Sequence, residues 1–262
     1  MEFYVSFILL VFFNLMLGSF CNVLIYRIPK GEQFVSGRSY CPKCEHQLAW
    51  YDNIPLLSYI ILGGKCRYCK EHISKQYPLI ELTTCILASL ISYDLLKEID
   101  LYTKPYMIIL PFTYSIFVLM LVALSMIDFK IYEIPMGCNI TIFICGIVIT
   151  LLNGNYLSHI IGMISVSAFL FLVFFITNGK GLGFGDVKLM FACGLILGWK
   201  AVIIGFLIGC ILAIIIHPIR MKISKESHML AFGPYLSIGC YISYFVGDLL
   251  INEYINFLNN LM

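Results

Sequence analysis

The sequence predicts an all-α polytopic membrane protein of about eight transmembrane helices, with one polar, zinc-binding loop on the cytoplasmic side after the first. Three observations lead there. Of 262 residues, 60% are hydrophobic and only 12% charged, against about 25% charged in an ordinary soluble domain. The mean hydropathy is +0.91. The apolar residues also fall into runs close to the ~20 needed to cross about 30 Å of hydrocarbon.

The first run covers residues 3–26 and ends in Arg27-Ile28-Pro29. No basic stretch precedes it, and it is long enough to span, so it reads as a helix rather than a cleaved signal. Polar sequence occupies 27–78. Apolar runs then cover 79–96, 105–127, 134–152, 157–177, 187–199, 201–219 and 230–250, the sixth and seventh divided only by Gly198-Trp199-Lys200.

The net charge of +2 says little, but its distribution sets an orientation. Of 17 basic residues, all but Lys97, Lys104 and Lys200 fall in the large loop or in the connections that share its side, including Lys130, Lys180, Lys188, Arg220, Lys222 and Lys225. Basic residues mark the cytoplasmic side. The expectation is a multi-pass protein of the cytoplasmic membrane with both termini outside and the loop inside.

Eleven cysteines in a chain of this kind argue against a disulfide framework. Cys21, Cys85, Cys138, Cys145, Cys193, Cys210 and Cys240 stand singly in apolar runs, where cysteine behaves as a small hydrophobe. The other four form two knuckles, Cys41-Pro42-Lys43-Cys44 and Cys66-Arg67-Tyr68-Cys69. The two-residue gap lets both thiolates of a knuckle face one ion. Four thiolates complete a closed tetrahedron, which predicts one structural zinc. A redox CxxC is the alternative, but neither knuckle sits in a strand–helix–strand pattern. His46 and His72 read as bystanders because the ligand set is already full. The aromatic segment Trp50–Tyr59 between the knuckles has two readings, packing on the zinc site or docking at the membrane surface.

Two acids stand where the bilayer makes charge expensive. Asp128 ends the third run in Ile127-Asp128-Phe129-Lys130. Asp186 opens the sixth in Gly183-Phe184-Gly185-Asp186-Val187-Lys188. An aspartate at a helix start is often only a cap. The orientation, however, brings both acids to the cytoplasmic edge, where two carboxylates are the minimum equipment of an aspartyl protease. Gly183 and Gly185, lacking side chains, would let an extended substrate strand approach Asp186.

In order along the chain, Gly18–Arg27, the paired knuckles, Trp50-Tyr51-Asp52-Asn53-Ile54-Pro55, Gly64–Arg67, Ile73–Leu82, the Asp128 site, Gly183–Lys188 and Phe232–Ser237 make the sequence resemble the type IV prepilin peptidases. These are bifunctional leader peptidases and N-methyltransferases. The resemblance runs nearly end to end. It implies an N-terminal module at 3–96, a membrane peptidase domain at 105–219 with Asp128 and Asp186 as the catalytic pair, and a turn and last helix at 220–262. It further implies type IV prepilins or pseudopilins as substrates, with lipid as the surrounding partner and no nucleic acid. Methylation of the new N-terminus from S-adenosylmethionine is implied in the same way. Glu81 is the candidate for that half, beside its plainer reading as a helix-entry acid. Cys85 and Met136 depart from the family's usual glycine and polar residue.

An aspartyl pair needs one ionised carboxylate to take a proton from water and one protonated carboxyl to polarise the scissile carbonyl. Helix dipoles suggest Asp186, at a helix start, as the base and Asp128, at a helix end, as the acid. Lys188 either adds positive charge near the pair or snorkels to the surface. Two readings from other classes compete. A transporter with intramembrane acids would show paired broken helices, and no second break matches Gly181–Gly185. A non-catalytic zinc scaffold would make both aspartates dispensable.

Overall fold

The computed structural model describes residues 2–34, 37–100, 102–224 and 230–261, so Lys225 lies outside the described residues. Among the described residues eight α-helices follow one another: α1 Glu2–Arg27, α2 Leu57–Ile61, α3 Gln76–Glu98, α4 Ile109–Ile131, α5 Met136–Asn153, α6 Tyr156–Ile176, α7 Phe184–Ser224 and α8 Gly233–Leu261. Among the described residues there is no strand, only two isolated antiparallel bridges in the polar loop. All but α2 are long and apolar enough to cross a membrane. That is the physical expectation where every backbone polar group must find its partner within the helix.

The ends of the helices follow local rules. After α1, Pro29 sits in a single 3₁₀ turn, Ile28–Lys30, which Gly31 closes in the left-handed region at φ 69°. Proline precedes α5 at Pro135, and Gly154 terminates that helix at φ 73° with its N–H on Thr150 O, the usual order of proline at the start and glycine at the end.

The chain forms two compact units, Met1–Ala123 and Leu124–Met262, with the boundary inside α4. In the first unit α1 and α3 pack so closely that a Cβ on Gly18 would come within 2.8 Å of Glu81 Cα. Phe13 meets Phe112 edge-on at 4.9 Å, and the Ser92 and Ser115 hydroxyls lie 3.3 Å apart.

In the second unit α7 is the centre, packed against α5, α6 and α8. Its 41 residues would measure about 60 Å as a straight helix, twice the hydrocarbon thickness. Gly198, at φ 76° and ψ 173°, breaks it. The Cys240 thiol of α8 lies 3.9 Å from Met190 Sδ, while a Cβ on Gly205 would lie 3.2 Å from Cys240 Cα. Met190 before the break and Gly205 after it therefore share one level, so the two arms double back. The apolar runs expected at 187–199 and 201–219 are these arms, and seven long helices thus provide eight helical passages.

Small residues make the close approaches possible. Gly162 of α6 faces the backbone at Gly194 and Gly198, and Gly239 of α8 faces the backbone at Gly205 and Gly209. Dispersion at such small-residue crossings holds helices together where lipid removes the hydrophobic drive. The break at Gly198 also frees carbonyls. Leu195 O accepts from Thr150 Oγ1 at 3.1 Å and from His159 Nδ1 at 2.9 Å, so His159 carries its proton on Nδ1 and clamps the turn.

Candidate active site

Three helix ends converge at one end of the second unit. Asp128 lies in the last turn of α4, Asp186 in the first turn of α7, and Gly233 begins α8. Asp128 and Asp186 are only 4% and 8% exposed. The carboxyl groups are close enough for Asp128 to act electrostatically on Asp186.

Asp186 occupies the third helical position rather than the cap. Its own N–H bonds Gly183 O at 3.2 Å, and its carboxylate turns back toward the Gly183 N–H, which acts on it electrostatically. This is the acidic half of a capping box, in which a side chain at the third position reaches back to the residue before the helix. A Cβ on Gly183 would lie 3.2 Å from Asp186 Oδ2, so glycine keeps that oxygen unobstructed. Gly185 has a different neighbour: its Cβ would meet Ile134 Cβ at 3.1 Å.

Asp128 has a partner from far along the chain. Its Oδ2 accepts the Gly233 N–H at 2.9 Å, so the carboxylate sits on the N-terminus of α8. A Cβ on Gly233 would come within 2.8 Å of that same oxygen and 3.3 Å of Ile134 Cδ1. Ile134 thus packs against both glycines. The contact revises the dipole expectation for the two roles. Asp128 ends its own helix, yet it faces the positive end of another, and both carboxylates meet a helix N-terminus. The dipoles do not separate acid from base.

Lys188 is directed elsewhere. Its ammonium lies 4.7 Å from the Phe184 ring centroid and 3.7 Å from Met136 Sδ. Arg220, at the end of the returning arm, stands 4.5 Å over the Phe129 ring.

The four knuckle cysteines form a cluster whose sulfurs all lie within 4.8 Å of one another. Cys41 Sγ and Cys69 Sγ are 4.0 Å apart, close to the edge of roughly 3.8 Å for a tetrahedron with zinc–sulfur arms of about 2.3 Å. The two knuckles repeat one hairpin. Cys41 N–H bonds His46 O and Cys66 N–H bonds Glu71 O. Glu45 and Lys70, each directly after a knuckle, are both left-handed at φ 58° and 62°. Burial works against the Cys66 thiolate, but the N–H groups of Cys69 and Tyr68 and the neighbouring thiols outweigh it, drawing the pKa to about 7. The Glu71 N–H favours the Cys69 thiolate, but burial and the neighbouring thiols push that thiol up to about 12, so the cluster shares its protons. Donor type, spacing and geometry all fit one zinc ion.

The aromatic segment packs on this cluster. Asp52 accepts from Arg67 Nε at 2.7 Å, Tyr68 OH at 3.2 Å and Ala49 N–H at 3.2 Å, tying it to the second knuckle. His46 is exposed and lies outside the sulfur cluster, with its ring 3.6 Å from that of Tyr68. Trp50 remains 79% exposed.

Glu81 is buried in the first unit. Its Oε2 accepts the Leu56 N–H at 2.7 Å, and the Ser19 hydroxyl is a second donor. Leu56 holds φ 58°, a strained value for leucine, so Glu81 fixes the turn that follows Pro55.

Gly233, Ile134 and His159 escaped the sequence reading. The first lay within the Phe232–Ser237 motif, as a Gly233-Pro234 pair at a helix start, but its contact with Asp128 was not signalled. Nothing local announces the other two.

Comparison with known proteins gives concordant matches. Residues 12–95 match the Bacterial Peptidase A24 N-terminal domain, and residues 115–217 match the Type IV leader peptidase family. A Vibrio cholerae protein named prepilin leader peptidase/N-methyltransferase is 33% identical over 261 residues, covering 92% of this chain and 97% of that protein. Proteins of the same name from Aeromonas salmonicida and Pseudomonas aeruginosa are 30% and 28% identical, over 95% and 94% of this chain and 94% and 92% of their own lengths. No solved structure matches the chain.

Proposed function

The chain belongs to the type IV leader peptidase family, and from that premise we propose an aspartyl endopeptidase that cleaves the leaders of type IV prepilins and pilin-like proteins at the cytoplasmic membrane face. Asp128 and Asp186 are its catalytic pair. The observation that supports the pair is the burial of two carboxylates at converging helix ends, within electrostatic reach of each other. Nothing structural requires charge there: helix caps are served as well by neutral Ser, Thr or Asn.

In this reading one carboxylate takes a proton from a water molecule while the other, protonated, polarises the scissile carbonyl. The attacking oxygen forms the new bond to carbon, and the proton is passed to the departing amine. Because the two acids share a site, their titration belongs to the pair. Gly183, exposed beside Asp186 Oδ2, gives an extended substrate strand its approach. Gly185 seats the start of α7 on Ile134. The excess of basic residues around the loop supports a cytoplasmic location for this chemistry, where a prepilin leaves water and enters lipid.

The zinc is structural, since four thiolates leave no position for substrate. N-methylation of the new N-terminus is the second activity, carried from the name the relatives share. S-adenosylmethionine would supply an electrophilic methyl group. Glu81, with its carboxylate engaged by Leu56 and Ser19, acts in the first unit as the residue that holds the loop.

Incubating the purified protein with a prepilin tests the peptidase reading. A product shortened by the leader is expected, and an unprocessed prepilin under conditions where the protein is folded and zinc-loaded would overturn it.

A further inference from the structure

The middle of the polar loop turns apolar side chains outward. Trp50 is almost fully exposed, and on α2 Leu57 is exposed together with Ile60 and Ile61, at 72% and 69%. Their i, i+3 and i+4 spacing puts the three α2 residues on one face. Polar groups of the same segment turn inward instead. The Ser58 hydroxyl donates to Tyr51 O at 2.7 Å, joining α2 to the turn that carries Trp50, and Asp52 is held by Arg67 and Tyr68. A helix in water keeps such an apolar face against a core, so an exposed one marks a surface that something covers.

The depth of α2 identifies the cover. Glu81 Oε2 accepts the Leu56 N–H at 2.7 Å, so the start of α2 is fixed beside Glu81. That residue stands five places after Gln76, the first of α3, and packs on Gly18, nine places before Arg27, the last of α1. At 1.5 Å per residue, Leu56 is thus about 7 Å along α3 and about 13 Å along α1 from the loop ends of those helices. Roughly 30 Å of hydrocarbon takes about 20 helical residues, which from Phe3 reach only to about residue 23. Leu56 therefore lies at the membrane boundary. On α3 beside Glu81, Leu79 and Leu82 are exposed, and the α2 face continues that lipid-facing surface. The backbone suits this place: the N–H groups of Leu57, Ser58, Ile60, Leu62, Gly63 and Gly64 bond carbonyls of their own segment, as chain at this depth requires. Exposed Lys65, Arg67, Lys70 and Lys75 follow along the chain, and basic residues in such a position are drawn to anionic lipid.

We propose that α2 and the Trp50 turn form a membrane-docking surface, which lies in the lipid interface on the loop's side and holds the zinc loop against the bilayer. Leu57, Ile60 and Ile61 enter the boundary between headgroups and acyl chains, as the apolar face of an interfacial helix does. Trp50 sits at headgroup level, where an indole has an apolar bed and water for its N–H. A soluble protein partner fits less well, because Glu81 ties α2 at a depth that such a partner does not reach.

Tryptophan quenching tests this on the full-length, zinc-loaded protein in vesicles of phosphatidylcholine and phosphatidylglycerol. The chain has two tryptophans, and subtracting the signal of Trp50→Phe isolates Trp50 from Trp199. Trp50 should be quenched by lipid brominated near the head of its acyl chain, less by lipid brominated near the chain's end, and little by aqueous iodide. Ile60→Ser/Ile61→Ser removes most of the apolar face, so with zinc content unchanged it should lower the brominated-lipid quenching by about half or more and open Trp50 to iodide. The wild-type measurement leaves α2 intact, so it decides even if the double variant loses its zinc. Trp50 open to iodide and untouched by brominated lipid in wild type overturns the proposal, as does unchanged quenching in a zinc-loaded double variant. Shielding that appears only when a prepilin is added, or only when the protein is crowded in the vesicles, would assign the surface to substrate or to a second copy and overturn it too.

Discussion

Replacing Gly233 by alanine should disable the aspartate centre without unfolding the protein. A Cβ there would lie 2.8 Å from Asp128 Oδ2, closer than real contacts allow, so one of the two must move. The side-chain end of Asp128 is softer than the start of α8, and the carboxylate will swing off the Gly233 N–H that it now accepts at 2.9 Å. A hydrogen bond to a charged group is worth about 1.5–3 kcal/mol, so cleavage efficiency should fall roughly ten- to hundredfold. The helix itself loses nothing, because alanine is a better helix former than glycine. The assay is prepilin cleavage by purified Gly233→Ala, with zinc content and thermal unfolding measured beside it. Wild-type cleavage by a folded Gly233→Ala protein would refute the role assigned to this contact.

Other parts of the molecule make their own predictions. Purified protein should carry about one zinc per chain, as four thiolates require, and Cys41→Ser or Cys66→Ser should lower metal content before it affects the aspartates; a metal-free wild-type preparation made without chelators contradicts this. Burial would raise the Asp52 carboxyl, but Arg67, the Ala49 N–H and Tyr68 together hold it below its ordinary 3.8. Its stabilisation of the loop is therefore complete above pH 3.8 and drains away as pH falls through the lower folded value. Followed by fluorescence from neutral pH downward, Asp52→Asn should be less stable than wild type at pH 7, with the gap closing only in strong acid. A constant gap refutes the linkage. His159→Ala and Thr150→Val should each cost about 1 kcal/mol, and the double variant should lose more than their sum, because both serve Leu195 O; strict additivity would contradict the clamp at Gly198.

Residues that act through their own segment were legible in the sequence. The two CxxC knuckles gave a sulfur cluster because a two-residue gap dictates local geometry. Asp128 and Asp186 reached one end of the second unit because the order of the apolar runs dictates it. Gly198-Trp199-Lys200, a thin separator on paper, marks a true reversal because glycine supplies a φ that other residues resist. Contacts between distant segments were not legible. Asp128 looked like the end of a helix, and only the fold shows the start of α8 against it, 105 residues on. Glu81 read as a candidate for the methyl-transfer half or as a helix-entry acid, and neither reading showed its Leu56 partner across the loop.

The central claim is that Asp128 and Asp186 form one catalytic unit, and a single measurement addresses it directly. Asp128→Asn, Asp186→Asn and wild type, each verified as folded and zinc-loaded, are incubated with a prepilin, and the products are read by mass. Each asparagine keeps the shape and removes the acid–base function, so each variant should leave the leader uncut, and the double variant should be no worse than either alone. Near-normal cleavage by either single variant would contradict the account.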